Sequence, residues 1–338
     1  MSSVLMADGM GAGYEWLDDK QSDLAVCREM LRVGSHSFYA ASLLLPQDMR
    51  EPACALYAFC RLADDLVDDG ADDVDAVSEL TRRLNLIYSG KPHDHAADRA
   101  MVHIAERYGM PKALPAALID GFRWDVDGRR YETLDDLHGY AARVAGSVGA
   151  MMAVLMGVRE APVLARACDL GSAMQLTNIA RDVGEDAQRG RLYLPRDWLR
   201  EAGIDPDRWL QQPEFSEALG GVVARLLTVA DELYLRARSG IAQLPLGCRP
   251  GIYAAMRIYR EIGVVLRHDG LNSVDRRTIV PKHRKSFLLG HAMLSSVKGQ
   301  TLDRSPALTA NQFLVDAVAD APEPRPEYSY WFRAESER

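Results

Sequence analysis

Two stretches of the chain carry oxygen ligands at a helical repeat. The first is Tyr57-Ala-Phe-Cys-Arg61-Leu-Ala-Asp64-Asp65-Leu-Val-Asp68-Asp69, where Asp64 and Asp68 stand four residues apart and Arg61 and Tyr57 continue the row. Four residues advance a helix by about 400°, so both carboxylates project from one face, one above the other. Like charges at that spacing weaken a helix, and a divalent cation would offset the loss. Mg²⁺ takes one or two carboxylates and fills its shell with waters and phosphate oxygens. The second stretch is Gln175-Leu-Thr-Asn178-Ile-Ala-Arg181-Asp182-Val-Gly-Glu185-Asp186, in which Asn178, Asp182 and Asp186 repeat the same step. This row sits among Leu170, Met174, Leu176 and Ile179, and a polar stripe in apolar surroundings costs folding energy unless it is satisfied. One such row is compatible with a solvated face. Two rows on separate helices would repel each other across a cavity unless cations and a polyanion lay between them. The chemistry to expect is metal-assisted handling of a phosphate-bearing substrate, with Gln175 and Arg181 donating hydrogen bonds to it.

Helices must hold these rows, and helical periodicity dominates the sequence. It predicts helices near 22–33, 50–68, 74–89, 95–108, 113–127, 133–156, 160–186, 214–239, 248–268 and 283–294. Breakers such as Pro46, Gly90, Pro111, Gly190, Pro213 and Pro245 separate them. No low-complexity linker interrupts residues 22–295, so the 338 residues read as one all-α domain over 21–300. Residues 1–20 hold a Gly-Met-Gly-Ala-Gly stretch that follows no strand; they read as a flexible lead, not a nucleotide loop. Residues 301–338 read as a tail. Pro306, Pro322, Pro324 and Pro326 argue against a packed helix there, and Tyr328, Tyr330, Trp331 and Phe332 are expected to dock on the protein's own surface.

Composition narrows the function. Hydrophobic residues make up 48% and charged residues 26%, the balance of a soluble globular protein. A net charge of −8 excludes a broad nucleic-acid footprint, so an anionic ligand must be drawn by a local cluster of cations. Mean hydropathy is −0.18, and no apolar run approaches the ~20 residues of a spanning helix. The cysteines (Cys27, Cys54, Cys60, Cys168 and Cys248) show no zinc or redox spacing. With no signal peptide evident, the expected compartment is the reducing cytoplasm.

These residues together resemble the squalene/phytoene synthase family of isoprenoid synthases, over roughly residues 22–280. The segments that carry the resemblance are Gly34-Ser-His-Ser-Phe38, Tyr57 through Asp68, Tyr140-Ala-Ala-Arg-Val-Ala-Gly-Ser-Val-Gly149, Gln175 through Asp186, Gly190-Arg-Leu-Tyr-Leu-Pro195 and Arg257-Ile-Tyr259 with Arg276-Arg277. The resemblance implies a single-domain isoprenoid-synthase helical bundle with a central apolar cavity. It also implies Mg²⁺, with Mn²⁺ as an alternative, held by Asp64, Asp68, Asn178, Asp182 and Asp186. Four of these, Asp64, Asp68, Asp182 and Asp186, count with Tyr140 as the catalytic set, Tyr140 facing the reacting carbons. The implied diphosphate contacts are Ser35, His36, Ser37, Tyr57, Arg61, Gln175, Arg181 and Tyr259. Of the two late arginines, Arg277 is preferred to Arg276, and Phe38 is expected beside the substrate. Where the family often has Cys-Tyr after the tyrosine, this chain has Ala141 and Ala142.

The implied reaction joins two geranylgeranyl diphosphates head to head, in the phytoene-forming branch that opens carotenoid biosynthesis and uses no NADPH. A fifteen-carbon substrate and a non-catalytic helical scaffold are the alternatives. Ser42 and Cys54 are small, and if they share faces with Phe38 and Tyr57 they leave room for the longer tail. Met151, Met152, Val154 and Leu155 are either a wall of the cation pocket or plain core. Lys282, His283, Arg284 and Lys285 form a basic run, either solvated or resting on anionic lipid at the inner membrane face. No protein partner is legible.

Overall fold

The computed structural model describes residues 11–68 and 73–321, and no β-strand occurs among them. The first helices are α1 (Gly11–Gly34), α2 (His36–Ser42), α3 (Gln47–Asp68), α4 (Asp73–Tyr88), α5 (Ala96–Tyr108) and α6 (Ala113–Val126). Next come α7 (Leu134–Ala141), a π-helical turn (Ala142–Gly146), α8 (Ser147–Leu155), α9 (Ala161–Arg181) and α10 (Val183–Gln188). The chain continues through α11 (Arg196–Glu201), α12 (Pro206–Gln211), α13 (Glu217–Ile241), α14 (Arg249–His268), α15 (Lys282–Ser296) and α16 (Gln312–Ala319).

Helix α9 runs through the middle, packed by α8, α13 and α14. Most of it is buried: Leu164, Cys168, Ala173 and Leu176 expose nothing. On one side α1, α3 to α6 and α8 enclose a core around Leu56, Met101 and Leu114. On the other, α13 and α14 enclose a second core around Leu226 and Tyr253. Between the two cores the packing leaves room for a cavity.

The structure changes several expectations. The stretch from Gly11 to residue 20, expected as part of a flexible lead, is already helical. Helices α2, α11 and α12 have six or seven residues each, too few to show a period. The tail was expected to hold no packed helix, yet α16 buries Leu314, Val315 and Val318 in the first core. The prolines bound this helix instead of breaking it, since Pro306 precedes it and Pro322 follows. The aromatic group at 328–332 lies outside the described residues. The segment predicted as one helix over 133–156 contains the π turn. Four-residue steps drift about 40° per step in an α-helix. The wider turn cancels part of that drift, and Tyr140, Val144, Val148 and Met152 all reach the cavities.

Candidate active site

Two joined cavities lie between the cores. The outer one is polar, about 730 Å³, and gathers nearly every residue singled out by the sequence: Ser35, His36, Ser37 and Phe38 from α2 and its N-terminus; Tyr57, Arg61 and Asp64 from α3; Tyr140 from α7; and Gln175, Asn178 and Arg181 from α9. Asp182, Asp186, Tyr259 and Arg277 complete its wall. Asp68 ends α3, and its side chain lies outside the described residues.

Local sequence explains how α2 reaches the cavity. Ser35 caps α2, its hydroxyl accepting from the Phe38 N–H at 3.2 Å. At Gly34 a Cβ would lie 2.4 Å from the Tyr57 hydroxyl, so any larger residue there would push the end of the Tyr57 side chain away from the link between α1 and α2.

The acidic row on α9 does not continue as one helix. Asp182 leaves helical geometry (φ −105, ψ 17) and α10 begins at Val183, splitting the helix expected over 160–186. At the break Gly184 donates its N–H to the Ser273 carbonyl at 2.9 Å. A Cβ on Gly184 would sit 2.0 Å from the Val274 carbonyl oxygen. The close approach docks the 273–277 loop on the break. Arg277 then donates Nε–H to Asp182 Oδ1 at 3.0 Å, while Arg181 Nε–H donates to the same oxygen at 2.7 Å. Arg276 turns away and donates to the Asp269 carbonyl, so that of the two arginines only Arg277 lines the cavity.

On α3, Arg61 pairs with Asp64 at 3.3 Å and Asp65 at 2.5 Å. The acidic rows therefore do not face each other bare, because arginines are interleaved with them. Arg189, Arg191 and Lys285 add to the cationic lining, and none of the three had been assigned to the site. Lys285 Nζ donates to Ser37 Oγ at 3.2 Å, and burial together with Arg181 holds its ammonium below the usual range. Burial, with Asp182 beside it, pushes the Asp186 carboxyl up to about 7.

Tyr140 belongs to a cluster that sequence reasoning missed. Its hydroxyl donates to Asp125 Oδ2 at 2.8 Å, and Tyr193 donates to Asp125 Oδ1 at 2.7 Å. The two rings stack with centroids 5.0 Å apart, and Tyr131 stacks on Tyr193 at 5.7 Å. Burial and Asp125 raise the Tyr140 hydroxyl well above its ordinary range, so it stays protonated. A signal for Asp125 was available: it continues the row Leu118 and Phe122 on α6, an acid on an otherwise apolar stripe that lines this cavity. Tyr193 stands in the quoted Gly190–Pro195 segment without an assigned role.

The inner cavity, about 330 Å³, is lined by apolar groups from α2, α3, α8, α9, α13 and α14. Phe38, Tyr57, Cys60, Val144, Val148, Gln175, Asn178 and Tyr259 line both cavities, which makes them one continuous space. At the junction Phe38 stacks on Tyr259 at 5.0 Å and meets Tyr57 edge-on at 6.3 Å. Ser42 lines the inner cavity as expected. Cys54 does not: it is buried in the first core, near Cys27 on α1, because Ala53, Leu56, Tyr57 and Cys60 occupy the cavity face of α3. Of the four residues offered as a wall, Met152 lines the cavity, whereas Met151, Val154 and Leu155 pack in the first core.

The donor set fits a hard cation. Asn178 Oδ1 is buried without a hydrogen-bond partner and belongs to a residue that lines the cavity, an acceptor in need of a positive ligand. Among the described residues no three His, Cys, Asp or Glu are gathered closely enough to hold a metal ion alone. A bound ion would need Asn178, substrate oxygens and waters to complete its shell, as Mg²⁺ does.

Known proteins agree with this geometry. The family described as squalene/phytoene synthase matches residues 31–285. A phytoene synthase of Rhodobacter capsulatus is 50% identical over 307 residues, 88% of this chain and 91% of the relative. One from Cereibacter sphaeroides is 51% identical over 279 residues, 80% of this chain and 79% of the relative. Among solved structures, a dehydrosqualene synthase with a bound ligand superposes with a TM-score of 0.75 at 33% identity, covering 81% of this chain and 96% of that one. The two cavities, the acidic and cationic side chains that line the outer one and the likeness along the chain have one account: this protein belongs to the squalene/phytoene synthase family.

Proposed function

We propose that the protein is a prenyltransferase that condenses two geranylgeranyl diphosphates head to head, through prephytoene diphosphate, to 15-cis-phytoene, the first committed step of carotenoid biosynthesis. The observation that carries this reading is the continuity of a cation-rich polar cavity with an apolar one across a ring of three aromatic side chains. An allylic diphosphate has that same division, an anionic head on an oily tail.

Asp64 and Asp68 on one side, and Asn178, Asp182 and Asp186 on the other, would hold Mg²⁺, with Mn²⁺ as an alternative. When bound, the ion supplies Lewis-acid stabilisation of the diphosphate leaving group. Arg61, Arg181, Arg277 and Lys285 give charge-assisted hydrogen bonds to the same oxygens, the three arginines exchanging their carboxylate partners for phosphate. Ser35, His36, Ser37 and Gln175 add neutral donors at the rim. Ionisation leaves an allylic cation at the junction, where the ring faces of Phe38, Tyr57 and Tyr259 stabilise it by about 0.5–2 kcal/mol each. Beyond them the walls exclude water. The Cys60 thiol lines both cavities, and burial raises it to about 12, so it remains a protonated thiol and a poor competitor for the cation. Tyr140, anchored by Asp125, faces the reacting carbons. No reductant is needed for phytoene. Both substrate and product are oily, so the reading includes a cytoplasmic protein in peripheral contact with the inner membrane face.

The test is incubation of the pure protein with geranylgeranyl diphosphate and Mg²⁺, followed by extraction of the hydrocarbon. Phytoene is expected without NADPH, and chelation of the metal should stop its formation. Product only from farnesyl diphosphate, or only with NADPH, would overturn the substrate assignment.

A further inference from the structure

The inner cavity is apolar, and among the described residues that line it Arg166 is the one charged side chain. It stands on α9 twelve residues before Asn178, which lies at the junction of the two cavities. At the helical rise that places it about 18 Å deeper. Of the α9 residues on this wall only Val163 lies farther in. Helical side chains lean toward the N-terminus, so the Arg166 stem runs toward Val163. The stem is also wedged against α13: a Cβ on Gly240 would lie 2.4 Å from the Arg166 Cβ and 3.1 Å from its Cγ. The end of a long oily tail would meet this stem.

An arginine can lay its stem along apolar surface while its charged head finds partners elsewhere. Here the head reaches past the wall and the whole side chain is buried. Its Nε pairs with the Asp169 carboxylate at 3.0 Å and its Nη1 with that of Asp303 at 2.9 Å. Nη1 also donates to the Asp303 carbonyl and the Ser305 hydroxyl, each at 3.2 Å, and Nη2 donates to the Pro306 carbonyl at 3.3 Å. Residues 303–306 lie between α15 and α16, and none of them lines either cavity. They are fixed in turn from α13. Arg236 donates to the Pro306 carbonyl at 2.8 Å, and the Ser239 hydroxyl accepts from the Asp303 N–H at 3.0 Å. A buried ion pair often stabilises a fold no better than well-packed apolar side chains would, so stability alone is a weak account of this network.

We infer that Arg166 sets the length of tail the inner cavity accepts, and that Asp169 and residues 303–306 act through it by keeping its stem from yielding. Arg166 is then a specificity-determining residue, and Asp169 and Asp303 are positioning residues. Pinned at both of its ends, the guanidinium cannot swing aside, and the stem stays across the path of a longer chain. A segment near the C-terminus thereby shapes a cavity that it does not touch. The inference rests on the proposed twenty-carbon substrate for where the tail ends.

The experiment is calorimetric binding of prenyl thiolodiphosphates of fifteen, twenty and twenty-five carbons to the full-length protein with Mg²⁺. Sulfur in place of the bridging oxygen makes these analogues too slow to ionise, so affinity is read without turnover. Failure of the proposed reaction, seen by hydrocarbon extraction, thus stays separate from failure of the inference. A methylene too many in an apolar pocket costs about 10- to 200-fold, so the parent should bind the twenty-five-carbon analogue at least about ten-fold more weakly than the twenty-carbon one. Arg166→Ala should remove that gap. Asp303→Ala, at a side chain one-third exposed, should narrow it with the fold intact, and decides the matter if Arg166→Ala does not fold. The fifteen-carbon analogue stops short of the stem and should bind both variants as it binds the parent. A merely structural network would lower Tm in both variants and leave the ratio of affinities at the parent's value, which would overturn the inference. So would a parent that binds twenty-five carbons as tightly as twenty, or variants that bind all three analogues equally weakly.

Discussion

Arg277 and Asp182 lie 95 residues apart in the chain, yet the guanidinium donates to the carboxylate at 3.0 Å. The pair closes one side of the polar cavity and joins the loop after α14 to the break between α9 and α10. With Arg181 on the same oxygen, Asp182 is held by two cations that the proposed reaction would turn toward diphosphate.

Replacing Arg277 with Gln should therefore weaken the grip on substrate without disturbing the fold, since the side chain is half exposed. A hydrogen bond to a charged group contributes about 1.5–3 kcal/mol, so kcat/KM should fall by roughly 10- to 150-fold. The loss should appear mainly as a raised KM for the diphosphate in steady-state kinetics.

Asp64→Ala and Asp182→Ala should each abolish turnover while the helical circular dichroism is kept. Asp182→Ala also leaves Arg181, which is mostly buried, without its carboxylate, and should cost about 1–3 kcal/mol of stability. Turnover retained by either variant would remove the metal-ligand assignment.

The break itself can be tested at Gly184. A methyl there meets the Val274 carbonyl at 2.0 Å, so Gly184→Ala must push the 273–277 loop away. Overpacking of this kind costs about 1–3 kcal/mol, measurable as a lower Tm. A displaced loop carries Arg277 with it, so KM should rise in the same direction as in Arg277→Gln.

Substrate length provides a contrast between two small residues. Ser42→Phe fills part of the inner cavity and should shift preference from the twenty-carbon toward the fifteen-carbon diphosphate. Cys54→Phe should leave the preference unchanged and lose about 1–3 kcal/mol of stability, because Cys54 is packed in the first core. Competition between the two diphosphates, with thermal melts alongside, reads both outcomes.

Tyr140 and Tyr193 share one acceptor, so Tyr193→Phe leaves the partly buried Asp125 with a donor fewer. The expected cost is about 1–3 kcal/mol. Burial and Asp125 hold both hydroxyls above the ordinary tyrosine range. Neither ionises between about pH 7 and 9, and the variant's pH–rate profile should match the parent's. A shifted profile would mean that the cluster titrates during turnover.

Local periodicity and residue chemistry determined much of this protein. The four-residue step of Asp64–Asp68, the all-helical class and the polar segment at Gly34–Phe38 are properties of neighbours along the chain, where helix geometry alone sets which side chains share a face. Tertiary structure decided the rest. Asp125, Tyr193, Arg189, Arg191 and Lys285 join the site only because distant helices converge on it, and no local pattern encodes that convergence. Cys54 and Met151 show the same limit from the other side: each sits near a cavity residue in sequence, but packing turned it toward the core. The break at Asp182 required a loop some ninety residues later to supply the carbonyl that Gly184 meets. A single helix repeat cannot foretell a hydrogen bond whose partner comes from elsewhere in the fold.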